Sequence, residues 1–123
     1  MKYGSYYNLM LKESPEKGRG VFAAEEISAG KLILVEPALM FSGSDIDGLR
    51  SHKLFEYIFQ IGDSMAISLG VGTFINHSED PNVKVNRQID QELFEVFALR
   101  DITPGEELTH KYIRALWFSP AAE

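Results

Sequence analysis

The sequence has no cysteine, one tryptophan and no apolar run near the ~20 residues that a membrane-spanning helix needs. Without cysteine there is no disulfide, no thiolate metal site and no thiol nucleophile. Zinc-finger readings are therefore excluded, and a reducing compartment is compatible with the chain. The opening residues, "MKYGSYYNLM", lack the apolar stretch of a secretion signal. Positive charge is also scarce: 12 Lys and Arg stand against 18 Asp and Glu, for a formal net charge of -6. The basic residues are scattered, whereas phosphate contacts need them clustered, so no direct nucleic-acid binding is expected. A cationic partner suits this balance better, although a modest acidic charge also serves solubility alone. The expectation is a soluble intracellular protein without a membrane partner.

What is present reads as one domain. A chain of 123 residues with 45% hydrophobic and 24% charged content can build one core. Gly, Pro or polar clusters interrupt it every eight to twelve residues, which leaves short apolar segments: 7–12, 20–24, 31–36, 66–69, 83–86, 93–99 and 107–112. Most of these predict strands, hence a mainly β domain and not a βαβ array. Only Leu49 to Ile61 supports a helix: Leu54, Ile58 and Ile61 share a helical face, yet Phe55, Tyr57, Phe59 and Ile61 also alternate. "FAAEEISAGKL" (22–32) and "FALRDITPGEEL" (97–108) echo each other, as one strand-turn-strand solution used twice, with Gly30 and Gly105 supplying the turn conformations.

Three stretches carry chemistry. "KGRGVFA", Lys17 to Ala23, satisfies the spacing of a dinucleotide fingerprint, but Ser28-Ala29-Gly30 would stop the long helix that such a site requires. Its glycines permit a close backbone approach to a ligand, or simply a turn. "FINHSEDPN", Phe74 to Asn82, gathers hydrogen-bonding side chains behind an apolar run. Asn76 and His77 offer donors and acceptors to a polar small molecule, while Asn, Ser and Asp before Pro81 equally build turns. His77 and Asp80 make an incomplete metal set, so no metal is expected. "GEELTHKY", Gly105 to Tyr112, ends on a tyrosine that packing alone would explain.

Taken in this order, Gly-x-Gly, Asn-His-Ser with Pro-Asn, and Gly-Glu-Glu-Leu-Thr-x-x-Tyr resemble the SET-domain protein-lysine methyltransferases. The resemblance runs from about Lys12 to Trp117 and is greatest to minimal SET proteins, such as the short viral ones. It implies a β-clip fold of several small sheets with tight turns and little helix, forming a single domain over 1–123 with a core of about 12–112 and a closing tail, 113–123. It also implies S-adenosylmethionine as cofactor and methyl transfer to the ε-amine of a lysine in a basic protein such as a histone. Lys17, Gly18, Arg19, Gly20, Asn76, His77, Tyr112 and Trp117 would contact the cofactor. Tyr112 and Tyr57 would be catalytic, and Tyr57, His110 and Trp117 would line the substrate channel.

Some positions depart from that pattern. His110 and Lys111 stand where the family commonly has an aromatic and then Asp or Asn, Ile113 replaces a glycine, and Leu116 replaces an aromatic. They sustain an alternative, a catalytically silent peptide-binding module with the same fold. A metal-dependent hydrolase using His77 and His110 is a third reading. The acids Asp45, Asp47, Glu79 and Asp80 are candidates for drawing in a Lys-rich tail, and a second copy of the chain is a candidate to complete its groove. The expected location is the cytoplasm, or the host nucleus for a viral protein.

Overall fold

The computed structural model describes residues 2–15, 17–61 and 63–112. The largest assembly is a six-stranded sheet in the order β5-β6-β4-β9-β8. These strands are β4 (Leu32–Phe41), β5 (Phe59–Ile61), β6 (Ser64–Ser68), β8 (Val83–Gln88) and β9 (Leu93–Ala98). The short β1 (Gly4–Ser5) also pairs with β4. Two smaller sheets complete the β structure: the antiparallel pair β2 (Leu9–Ser14) and β3 (Gly18–Ala23), and the parallel pair β7 (Asn76–His77) and β10 (Thr109–His110). This is the mainly β architecture expected, and no helix among the described residues is long and apolar enough to cross a membrane.

Burial explains the strand sequences. Ile33, Leu34 and Val35 are buried in succession, as in a strand covered on both faces, and Ile33 and Leu34 join Val21, Ile27, Ile75, Val96, Ile102 and Leu108 in one core. Phe94, Ala38, Ile61 and Ala66 form a second cluster. Burying a side chain the size of Phe94 contributes roughly 1.5–3 kcal/mol, so these clusters dominate the local preferences of the strands.

The two echoing segments turn out to be partners. Ile27 and Ile102 face each other and exchange both backbone hydrogen bonds, at 2.9 and 2.8 Å. Around that pair the bonds repeat at a constant offset: Gly30 N–H donates to Ala98 O (2.8 Å) as Gly105 N–H donates to Ala23 O (2.7 Å), and Ala98 N–H reaches Lys31 O (2.9 Å) as Ala23 N–H reaches Glu106 O (2.9 Å). Gly30 and Gly105 both adopt positive φ, +84° and +89°, where a side chain is strained. The repeat is thus a two-fold local pairing that places "GEEL" against the Gly-x-Gly strand.

The segment 49–61, undecided between helix and strand in the sequence, resolves into shorter elements. The α-helix α1 is Gly43–Leu49, before the segment that suggested one. Ser42 caps it: its Oγ accepts from Asp45 N–H (3.2 Å) while the Asp45 carboxylate accepts from Ser42 N–H (2.9 Å). With only Ile46 buried, seven residues give no readable period. Residues 49–61 instead divide into a 3-10 turn, Lys53–Tyr57, and strand β5. Both competing periodicities were fragments of different short elements.

Candidate functional site

The Gly-x-Gly strand needs its two glycines for different reasons. Gly18 has φ +79°, and a Cβ there would meet nothing within 4 Å, so it serves the turn and leaves an open face. A Cβ on Gly20 would collide with Glu107 Oε2 and lie 3.0 Å from Asn76 Nδ2 and from Ser14 Cβ. The protein itself fills the space beside Gly20, where ligand approach was the expectation.

Glu107 is the residue that sequence reasoning missed. Its Oε1 accepts from Ser14 Oγ (2.8 Å) and its Oε2 from Asn76 Nδ2 (2.8 Å). Asn76 Nδ2 also donates to the Arg19 carbonyl (3.0 Å). One carboxylate therefore ties β2, β3, β7 and the approach to β10 together. A signal existed: "PGEEL" is one residue longer than its echo "AGKL", and the extra length falls on this pair of acids. With Nδ2 used on both sides, the acceptor Oδ1 is the remaining polar group of the Asn76 amide.

The polar cluster behind the apolar run divides in two. Asn82 is buried and serves structure: its Nδ2 donates to Glu107 O (2.8 Å), and its Oδ1 accepts from Thr109 N–H (2.8 Å). Together with Ser78 N–H on His110 O (3.0 Å), this holds β10 alongside β7. His77 points toward the chain end: its Nδ1 accepts Tyr112 N–H (3.0 Å), and its Nε2 lies 2.8 Å from Glu79 Oε2. An Nδ1 acceptor requires the proton on Nε2, so Glu79 holds the ring in that tautomer. Hydrogen bonds from His77 and Lys111 hold the Glu79 carboxyl below its usual range. Lys111, 3.4 Å from Glu79, is thereby given a partner.

An aromatic group surrounds Tyr112. Its hydroxyl donates to Ile75 O (3.2 Å), and its ring lies 5.1 Å from that of His77 and 4.8 Å from that of His110. His110 is stacked on Phe59 at 5.6 Å and is 2% exposed. Burial, aided by the nearby charge of Arg87, pushes the His110 pKa down to about 3, so the ring is neutral. Among the described residues its Nε2 has no hydrogen-bond partner. Tyr57 ends its 3-10 turn with its ring 5.9 Å from that of Phe74, and the Arg19 guanidinium lies 5.7 Å from the same Phe74 ring. Lys17 Nζ reaches His77 O at 3.2 Å. Gly18, Arg19, Gly20, Asn76, His77, Tyr57, His110 and Tyr112 thus form one contiguous group, while Trp117 and the tail lie outside the described residues.

The sequence matches the SET domain family over residues 18–113, which is most of the chain. The chain belongs to the SET-domain family. It is 32% identical over 117 residues to "Histone-lysine N-methyltransferase, H3 lysine-37 specific" of Schizosaccharomyces pombe, with 93% of this chain and 79% of that protein aligned. It is 30% identical over 107 residues to human "Histone-lysine N-methyltransferase 2B", covering 77% of this chain but 4% of that protein. Among solved structures, a candidate histone methyltransferase of Plasmodium falciparum superposes with a TM-score of 0.71 at 22% identity, covering 91% of this chain and 98% of that one.

This SET domain has an open cleft of about 630 Å³ beside the Gly-x-Gly strand, lined by Glu13, Ser14, Pro15, Gly18 and Arg19. The open face of Gly18 and the acceptor end of Asn76 suit a ligand that carries an ammonium group, so the residues fit S-adenosylmethionine. Among the described residues no three His, Asp or Glu side chains cluster as metal ligands. Of the four acids considered for substrate attraction, three have local partners: Asp45 in the α1 cap, Asp47 with Arg50 (3.4 Å), and Glu79 with His77 and Lys111.

Proposed function

We propose that this protein transfers a methyl group from S-adenosylmethionine to the ε-amine of a lysine in a basic protein such as a histone. The observation that carries the reading is the direct bonding of three distant segments: Arg19 O to Asn76, Asn76 to Glu107, and His77 to Tyr112 N–H. When bound, the cofactor supplies an electrophilic methyl on a positively charged sulfur. The protein's task is then alignment, since an in-line displacement gains mainly from holding the reactants in place.

The residues take the following roles in this proposal. Gly18 and Arg19 present backbone to the cofactor, Lys17 and Gly20 shape that edge, and Asn76 Oδ1 accepts from its ammonium group. His77 acts through its ring as the pin of Tyr112, with its backbone toward the cofactor. Because the Tyr112 hydroxyl donates to Ile75 O, its oxygen presents lone pairs and orients an amine N–H. The amine's own lone pair is then left to attack. A lysine must be neutral to do so, and an aromatic surrounding beside a cation pushes its pKa of about 10.4 downward. Tyr57, Phe59 and the neutral His110 offer such surroundings, and the rings of Tyr57 and Tyr112 favour the cationic product. A histone substrate places the protein where chromatin is.

The test is incubation with labelled S-adenosylmethionine and purified histones or mixed basic proteins. Label in a lysine side chain supports the reading. A folded sample that binds basic peptide without transfer assigns the protein to the silent peptide-binding class.

A further inference from the structure

Glu36 is an acid in the interior of β4, 6% exposed and opposite Phe94 in the sheet. Such a group is costly to remove from water unless its oxygens are used. They are: Ser68 Oγ donates to Oε1 (2.7 Å), and Gly72 N–H lies 3.1 Å from Oε1 and 3.0 Å from Oε2. The carboxylate also explains "GVG". A Cβ at Gly70 or Gly72 would run into it, so both glycines are set by space. They begin the 3-10 turn Val71–Phe74, closed by Thr73 N–H on Gly70 O (3.2 Å), Ile75 N–H on Gly72 O (3.1 Å), and the Thr73 hydroxyl on Ser68 O.

That turn delivers three parts of the site in succession. Phe74 stands between Tyr57 and Arg19, Ile75 O receives the Tyr112 hydroxyl, and Asn76 binds Arg19 and Glu107. We propose that Glu36 is a positioning residue for methyl transfer: its buried carboxylate fixes the turn that sets the Tyr112 hydroxyl acceptor and the Asn76 amide. The inference rests on the methyltransferase reading and adds to it a residue outside all three motifs.

The test compares Glu36→Ala, Glu36→Asp and Glu36→Gln in the full chain, with a truncation of the buried α1 residue Ile46 matched for loss of Tm. Asp withdraws the oxygens by one methylene, whereas Gln keeps an acceptor for Gly72 N–H. Two readouts are taken: amide hydrogen exchange over residues 72–77, and kcat at saturating S-adenosylmethionine. Glu36→Ala and Glu36→Asp are expected to speed exchange and lower kcat by roughly tenfold or more, since small misplacements are expensive in an alignment mechanism. Glu36→Gln recovers most of both, and the Ile46 control changes neither beyond about twofold. If Glu36→Ala does not fold, the Asp and Gln pair gives the same comparison. Wild-type exchange and turnover in Glu36→Asp, or an equal loss in the control, overturns the proposal. A wild-type protein that transfers no methyl group sinks the functional reading instead, and the exchange data still decide whether Glu36 orders the turn.

Discussion

Tyr112 is engaged twice, by its N–H on His77 and its hydroxyl on Ile75 O, so Tyr112→Phe removes a directional acceptor while leaving the backbone pin. The expected result is a fall in kcat of roughly a hundredfold with cofactor affinity little changed, read by steady-state kinetics and calorimetric titration. Equal losses in both would make Tyr112 structural. Glu107 behaves differently, because its removal frees the Asn76 amide and the Ser14 hydroxyl. Glu107→Ala should cost about 1–3 kcal/mol of stability and weaken cofactor binding, measured by denaturant unfolding and titration. His110 gives a pH signature. Its folded pKa of about 3 lies below the ordinary 6.5, so the unfolded chain binds the extra proton and stability is lost as pH falls through that window. Between pH 7 and pH 5 the loss should be about 2 kcal/mol, and His110→Phe should flatten that part of the unfolding profile.

Elements differed in how legible they were. The strands and the echo could be read because alternation and positive-φ glycines act within a few residues, and Gly30 and Gly105 adopt the turn conformations that their places in the echo suggested. Helix α1 could not, since a capping box and one buried isoleucine leave no period to detect. Glu36 was silent and Glu107 was marked only by the extra residue in its echo, because their roles depend on partners dozens of residues away that only folding supplies. The Gly-x-Gly strand was legible as a motif but not in its division of labour. Gly20→Ala should destabilise by about 1–3 kcal/mol through overpacking and weaken cofactor binding. Gly18→Ala should cost about 1–2 kcal/mol through its left-handed backbone alone, and Gly18→Asn less. Thermal unfolding of the three variants separates the two causes.

At the scale of the molecule, the net charge of -6 favours encounter with the basic substrate proposed above. KM for a histone should therefore rise with salt while kcat stays nearly constant, because screening weakens encounter more than chemistry. The larger claim is that the Gly-x-Gly turn, the Asn-His pair and Tyr112 make one cofactor site. Titration of the labelled protein with S-adenosylmethionine, followed by amide NMR, tests it most directly. The account predicts that the amides of Gly18, Arg19, Asn76, His77 and Tyr112 shift together along one binding curve. Shifts confined to one of these segments, or saturation at a site elsewhere in the fold, would contradict it.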